Sequence, residues 1–368
     1  MNSANISFWE KDTWHNKPDL LVIGAGITGA SAALAYKEKF PKHNVLLIER
    51  GVKPDGASTK NAGFACIGSI SEHLADIKAA GEETVFNRIK RRWNGLTLLR
   101  SRINDISIDY IRTGGYEIFT DSGKFEECGD KIPYFNRALT DITGFENVYG
   151  KTTYQGYPAI LNKVEGALHS GKLMWELLMN VQAYGIRVLW NSEVQNVQSG
   201  YVRLSSGYEF KPAKILIAAN GFTERICNLE IKPARGMVFI TEPIENLAWK
   251  GTFHCHEGYV YFRNVGNRLM IGGARHIAKE SETTTGPGIN PEIREWLQRF
   301  CNETLRLPHG WMVEREWSGI MGFTADKEPI VQEIMPYVWV SAGLSGMGIA
   351  VGMQTASDVI ELIQKKLN

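Results

Sequence analysis

The chain has 368 residues, with 41 basic and 40 acidic side chains, a formal net charge of +1 and 43% hydrophobic residues. Such a length calls for two domains or one large α/β body with an inserted lobe, and the near balance of charge excludes a field strong enough to draw the chain to nucleic acid or an anionic membrane. The apolar runs, such as Leu20 to Ile23 and Ile215 to Ala219, are strand-length, far short of the roughly 20 residues of a membrane-spanning helix.

The N-terminus, with Glu10, Lys11 and Asp12 behind Trp9, lacks the basic start and apolar core of a signal peptide, so a cytoplasmic protein is expected. The five cysteines (Cys66, Cys128, Cys227, Cys255 and Cys301) are widely spaced and contain no CxxC pair, which fits reduced thiols. A buried strand at Asp19 to Ile23 runs through a Gly-rich turn into an Ala-rich helix ending near Phe40, and a second strand follows at Val45 to Ile48. Residues Ser71 to Asn104 read as helical, whereas Tyr110 to Gly150 has no clear period. A helix is predicted over Gly171 to Tyr184, with short strands at Arg187 to Trp190, Tyr201 to Leu204 and Ile215 to Ala219 returning to the nucleotide-binding body. Met237 to Gly272 reads as a separate sheet, Tyr337 to Ser341 as a strand, and Ile349 to Leu367 as an amphipathic helix. With no repeat or linker dividing the chain, a second domain must be interleaved with the first.

The turn after the first strand is Gly24-Ala25-Gly26-Ile27-Thr28-Gly29. Gly24 suits the tight turn, Gly26 the approach of a pyrophosphate to the backbone, and Gly29 the close packing of helix on strand; the helix N-terminus offers NH groups and partial positive charge. Glu49 ends the second strand, where a carboxylate can accept hydrogen bonds from ribose hydroxyls. Together these predict dinucleotide binding. A second Gly-rich turn, Gly343 to Ile349, precedes the last helix and favours a flavin, since a helix N-terminus stabilises the negative charge of a reduced isoalloxazine. Gly56 to Gly63 supplies small residues, hydroxyls and Lys60 after the ribose-binding strand, and Ala219-Asn220-Gly221 ends a buried strand in residues small enough for a cofactor to lie against them.

These segments, with EGALHSGKLMWELL, RGMVFITEPI, YFRNVGNRLMIGG and WSGIMGFTADKEPI, resemble the FAD-dependent oxidoreductases of the D-amino-acid oxidase superfamily, which include glycine oxidase, sarcosine oxidase and γ-glutamylputrescine oxidase. The resemblance covers nearly the whole chain in the family's order. It implies an α/β fold: a Rossmann-like, glutathione-reductase-type FAD domain from residues 1–75, 145–225 and 315–368, interleaved with an α+β substrate domain from 76–144 and 226–314 that carries an antiparallel sheet. The cofactor set it implies is Gly24, Ala25, Gly26, Ile27, Thr28, Gly29, Glu49, Arg50, Ser58, Thr59, Lys60, Asn61, Ala62, Gly63, Val194, Ala219, Asn220, Gly221, Met321, Gly346, Met347, Gly348 and Ile349, with Val194 on the adenine side through its backbone. The expected reaction is oxidation of a small amine or amino acid by hydride transfer from its α carbon to FAD, imine hydrolysis, and reoxidation by O2 or another acceptor.

Glycine oxidase-like members carry arginines where this chain has Met321 and Gly346, so a carboxylate held in that way is not expected, and ITEPI and YFRNVGNRLMIGG look closer to the amine-oxidising branch. Alternation along Gly258 to Arg263 puts Tyr259, Tyr261 and Arg263 on one face, where Arg263 could anchor an acidic group and Tyr261 orient the amine. His254 and His256 share a strand face but lack a third ligand, so no metal is expected of the pair. Oxidation of a 2-hydroxy acid and a tRNA-modifying role are the rival readings, the latter at odds with the near-zero charge. Covalent attachment of FAD, for which Cys66 lies beside the flavin loop, and the oligomeric state stay open.

Overall fold

A computed structural model describes residues 6–14 and 16–367. Its centre is a six-stranded sheet in the order Ile330–Met335, Val338–Ala342, Ile215–Ile217, Leu20–Ile23, Val45–Ile48, Arg187–Leu189, parallel throughout except for the edge strand Ile330–Met335. The inner strands are apolar at every position because both faces are covered. Leu20, Val22, Val45, Leu47 and Leu216 pack under the helices Ile27–Lys39, Glu82–Arg102 and Gly348–Leu367. Leu21, Ile23, Leu46, Ile48, Ile215 and Ile217 face a three-stranded antiparallel meander, Val194–Gln198, Tyr201–Leu204 and Glu209–Phe210. Tyr201–Leu204 therefore caps the body sheet instead of joining it.

Two glycines make this body possible. A methyl group on Gly29 would sit 1.9 Å from the Gly24 carbonyl oxygen, so the turn closes only without one, and Gly24 itself adopts φ +103°, open to glycine alone at low cost. The predicted helix over 71–104 is two, Ile70–Ala80 and Glu82–Arg102, parted at Gly81 with φ +83°.

The second layer is an eight-stranded sheet in the order Val313–Phe323, Lys232–Thr241, Arg268–Gly273, Val260–Val265, Thr252–Cys255, Gly115–Ile118, Tyr157–Asn162, Tyr149–Tyr154, antiparallel but for the pair Thr252–Cys255 and Gly115–Ile118. Its outer face holds an aromatic core, with Phe253 and Phe262 stacked at 4.7 Å, covered by the helix Pro291–Glu303 through Ile293, Leu297 and Phe300. The inner face looks back toward the first sheet.

Sheet membership departs from the expected segment boundaries. Tyr149–Tyr154 and Tyr157–Asn162 fall within 145–225 and most of Val313–Phe323 within 315–368, yet all three pair in the eight-stranded sheet. The first two form a hairpin through Gln155 and Gly156, both at positive φ, and the third runs alongside Lys232–Thr241 for almost its whole length. Conversely Glu82–Arg102, expected in the substrate domain, packs on the last helix of the body: a methyl on Gly95 would lie 2.0 Å from the Ala350 carbonyl oxygen. Among the described residues no helix is long and apolar enough to cross a membrane.

Candidate active site

Between the two sheets lies a cavity of about 960 Å³. At one end it is floored by the first turn. Gly26 caps the helix Ile27–Lys39 without a side chain of its own, and the Ile27 amide is instead taken by Ser58 Oγ at 3.0 Å. Glu49 is buried and uses both oxygens, Oε2 accepting from the Ala25 amide at 3.0 Å and Oε1 from the Gly51 amide at 3.1 Å. Gly24, Gly26, Ile27, Thr28, Glu49, Arg50 and Val194 line the cavity here, while Ala25 and Gly29 stand behind them as turn and packing residues. Thr28 Oγ1 is buried without a hydrogen-bond partner. A Cβ on Gly26 would lie 2.9 Å from the Ser58 hydroxyl, and a helix N-terminus with the unpartnered Thr28 hydroxyl in its first turn fits an anionic group such as a pyrophosphate.

Midway, Ser58, Lys60, Asn61, Ala62 and Gly63 line the cavity, with Thr59 turned away to donate to the Pro54 carbonyl at 2.9 Å. Asn61 staples its own loop, donating to the Ser58 carbonyl and accepting from the Gly63 amide at 2.9 Å and the Ser170 hydroxyl at 2.6 Å. Lys60 pairs with Asp55 at 3.1 Å. Opposite, Asn220 Oδ1 accepts from the Gly343 and Leu344 amides at 3.1 and 3.2 Å and so ties the end of the Ile215–Ile217 strand to the last turn. Gly221 lies behind, where a methyl would meet the Met321 carbonyl at 2.4 Å. Gly346, Met347, Gly348 and Ile349 line the cavity with the last helix's N-terminus.

At the far end the inner face of the second sheet contributes Tyr261 and Met321, and Tyr259 joins the lining from the turn before Val260–Val265. Val260 and Phe262 point into the aromatic core, so alternation turns Tyr261 and Arg263 the other way. Burial pushes the Tyr261 phenol up to about 12 and keeps it a neutral donor. Arg263 does not reach the cavity: its guanidinium donates to the Gly63 and Leu168 carbonyls at 2.9 and 2.8 Å, clamping the sheet to the 60s loop. A cation that does line the cavity is Arg275, on the short helix Arg275–Ala278 after Gly273. It stacks 4.7 Å above the Phe323 ring and, among the described residues, has no hydrogen-bond or ion-pair partner. Burial lowers its pKa against the pull of Tyr259 and Glu282. No periodic signal marked Arg275, since it sits in a turn; a conformationally special Gly-Ala pair before it, Gly273 at φ +103° and Ala274 at φ +54°, is its only local sign.

A buried polar cluster adjoins that end. His254 Nε2 lies 3.3 Å from Glu165 Oε2, whose partner oxygen accepts from the Ile67 and Gly68 amides at 2.8 Å each. Burial opposes protonation of His254, but Glu165 prevails and holds its pKa above the ordinary value. Arg92 joins the Ile67 carbonyl to Glu72 at 2.8 and 2.9 Å. His256 is elsewhere, in a positive-φ turn against Trp296 and Phe300, so the two histidines form no pair.

Comparison with known proteins bears on this cavity. Residues 19–362 match the model of the FAD dependent oxidoreductase family. The chain is 24% identical to the probable oxidoreductase OrdL of Haemophilus influenzae over 90% of its own length and 80% of that protein's. Its fold resembles the crystal structures of L-proline dehydrogenase from P. horikoshii (TM-score 0.74, 16% identity, 95% and 94% of the two chains) and glycine oxidase from Geobacillus kaustophilus (TM-score 0.73, 18% identity, 94% and 95%). A family match along almost the entire chain, over a two-sheet body whose cavity is lined by two Gly-rich turns, makes this protein a member of the FAD dependent oxidoreductase family.

Proposed function

We propose that the chain binds FAD along the cavity and oxidises a small amino acid or N-substituted amino acid at its inner end. The carrying observation is the continuity of one cavity from the first turn at Gly26 and Thr28, past Gly346 to Ile349, to the unpaired guanidinium of Arg275. On this reading the Ile27 helix end and Thr28 hold the pyrophosphate, Glu49 the ribose, Val194 the adenine side, and the amides at Gly346 to Ile349 the pyrimidine edge. Bound there, FAD supplies the hydride acceptor that the side chains lack.

The chain's own residues bind and orient. Arg275 takes the substrate carboxylate, the charge-assisted pairing for which a desolvated guanidinium without a partner is prepared. Tyr261, neutral at physiological pH, donates toward the amine side, and Met321 gives an apolar wall beside the reacting C–H bond. This assigns to Arg275 the anchoring role expected of Arg263, and it favours an amino acid over a simple amine.

The test is the visible spectrum of the purified protein, followed by anaerobic titration with glycine, sarcosine, proline, other amino acids, polyamines and 2-hydroxy acids. Bleaching of the flavin band at about 450 nm by an amino acid is the expected result. Bleaching by a polyamine or a 2-hydroxy acid alone replaces the substrate class, and a protein that cannot be loaded with FAD overturns the reading. Repeating the reduced state in air and with a quinone identifies the acceptor.

A further inference from the structure

We infer that Cys66, Glu165 and His254 form a binding site for a single soft divalent cation, Zn²⁺ being the best match, on the wall of the cavity. The three donor atoms lie within 4.8 Å of one another, and all three residues are buried. They come from separate parts of the chain: the short strand Phe64–Ala65 leads into Cys66, Glu165 precedes the strand Gly166–Ala167 that pairs with it, and His254 projects from the inner face of the large sheet. Thiolate, imidazole and carboxylate together are a zinc donor set.

The geometry goes beyond composition. A tetrahedral Zn²⁺ with N and O ligands at about 2.0–2.1 Å has an edge of about 3.3 Å between them, and His254 Nε2 to Glu165 Oε2 is 3.3 Å. Glu165 Oε1 is held by the two amides of Ile67 and Gly68, which fixes Oε2 toward the site in the way outer partners orient metal ligands. Cys66 and His254 line the cavity, so three protein ligands leave the fourth position facing it.

Zn²⁺ bound here would displace the Cys66 thiol proton and the proton that His254 Nε2 shares with Glu165 Oε2, both released to solvent, which leaves thiolate, imidazole nitrogen and carboxylate as the three donors. A cation here would sit at the end of the cavity that Tyr261 lines, although the inference does not depend on FAD binding or on the substrate class.

The experiment incubates the purified full-length protein with ZnCl2, removes free metal on a desalting column, and counts retained zinc by mass spectrometry, with affinity read by competition against a chromophoric chelator. We expect one Zn²⁺ per chain, Cys66→Ser and His254→Gln each weakening it at least tenfold, and His256→Gln leaving it unchanged. Zinc X-ray absorption of the wild-type protein adds a reading independent of any variant's folding, with one sulfur scatterer at about 2.3 Å expected. Absence of stoichiometric zinc, retention by the Cys66 and His254 variants equal to that of the wild type, or a zinc shell without sulfur each overturns the site and leaves His254 and Glu165 as an ion pair only.

Discussion

Two arginines twelve residues apart divide the work of the inner face. Arg263 is bonded to carbonyls of the 60s loop and holds the two sheets together, while Arg275 meets the cavity with only the Phe323 ring beneath it. Replacement of Arg275 by Met keeps the length and the stacking but removes the charge-assisted hydrogen bonds, each contributing about 1.5–3 kcal/mol. We predict a fall in kcat/KM for a carboxylate substrate of roughly 10- to 100-fold, carried by KM, with FAD content unchanged. Arg263→Met should instead lower thermal stability and FAD retention. Equal kinetics for wild type and Arg275→Met would remove Arg275 from the substrate site. The contrast also marks what could be read from the letters. Alternation correctly turned Arg263 inward, yet no period reveals which carbonyls a loop 200 residues away presents to it. Glu165 is the same case: its partners Ile67, Gly68 and His254 are about 90–100 positions distant, and a single Glu in a turn carries no signal of them.

Among the elements, those with one strong local pattern were legible and those shaped by partners were not. Leu20–Ile23, Val45–Ile48 and Gly348–Leu367 follow from apolar runs and helical period. The stretch 110–150 did not, because it holds a strand, Gly115–Ile118, and two short helices, Ser122–Asp130 and Ile132–Thr143, whose buried faces are only two or three residues each. Val313–Phe323 belongs to the second sheet because Lys232–Thr241 accepts it, which no window of 11 residues records. The packing of Glu82–Arg102 on Gly348–Leu367 gives an element-scale prediction. Alanine at Gly95 improves helix propensity by about 1 kcal/mol, but its methyl would meet the Ala350 carbonyl oxygen at 2.0 Å, and backbone cannot swing aside as a flexible side chain does. Overpacking of this kind costs about 1–3 kcal/mol and outweighs the propensity gain. Gly95→Ala should lower Tm by several degrees in a calorimetric scan; a raised Tm would show that the two helices do not touch there.

For the whole molecule, the buried polar cluster between the two sheets ties stability to pH. His73 is fully buried beside Phe135 and hydrogen-bonded to Tyr149 Oη at 3.2 Å, and burial lowers its pKa from 6.5 to about 4. Glu72 and Asp76 pull that pKa back up, while Arg92 and Arg88 push it further down. The folded chain thus carries this imidazole neutral at pH values where the unfolded chain has already protonated it. Because the folded pKa lies below the unfolded one, the contribution is complete above pH 6.5, shrinks as pH falls toward about 4, and is gone below it. A displacement of this size corresponds to a loss on the order of 3 kcal/mol across the window. The expected observation is a urea midpoint that drops between pH 7 and pH 4.5 in the wild type and drops less in His73→Gln, which keeps a hydrogen-bonding group for Tyr149 and removes the titration. Parallel curves for the two proteins would place the acid sensitivity in other groups. The neighbouring Glu72 adds a later step in the same direction: Arg92 overcomes the effect of burial and draws its carboxyl down to about 2, so its contribution fades only below pH 4.5. The limb above pH 4.5 is therefore where the His73 variant and the wild type must diverge.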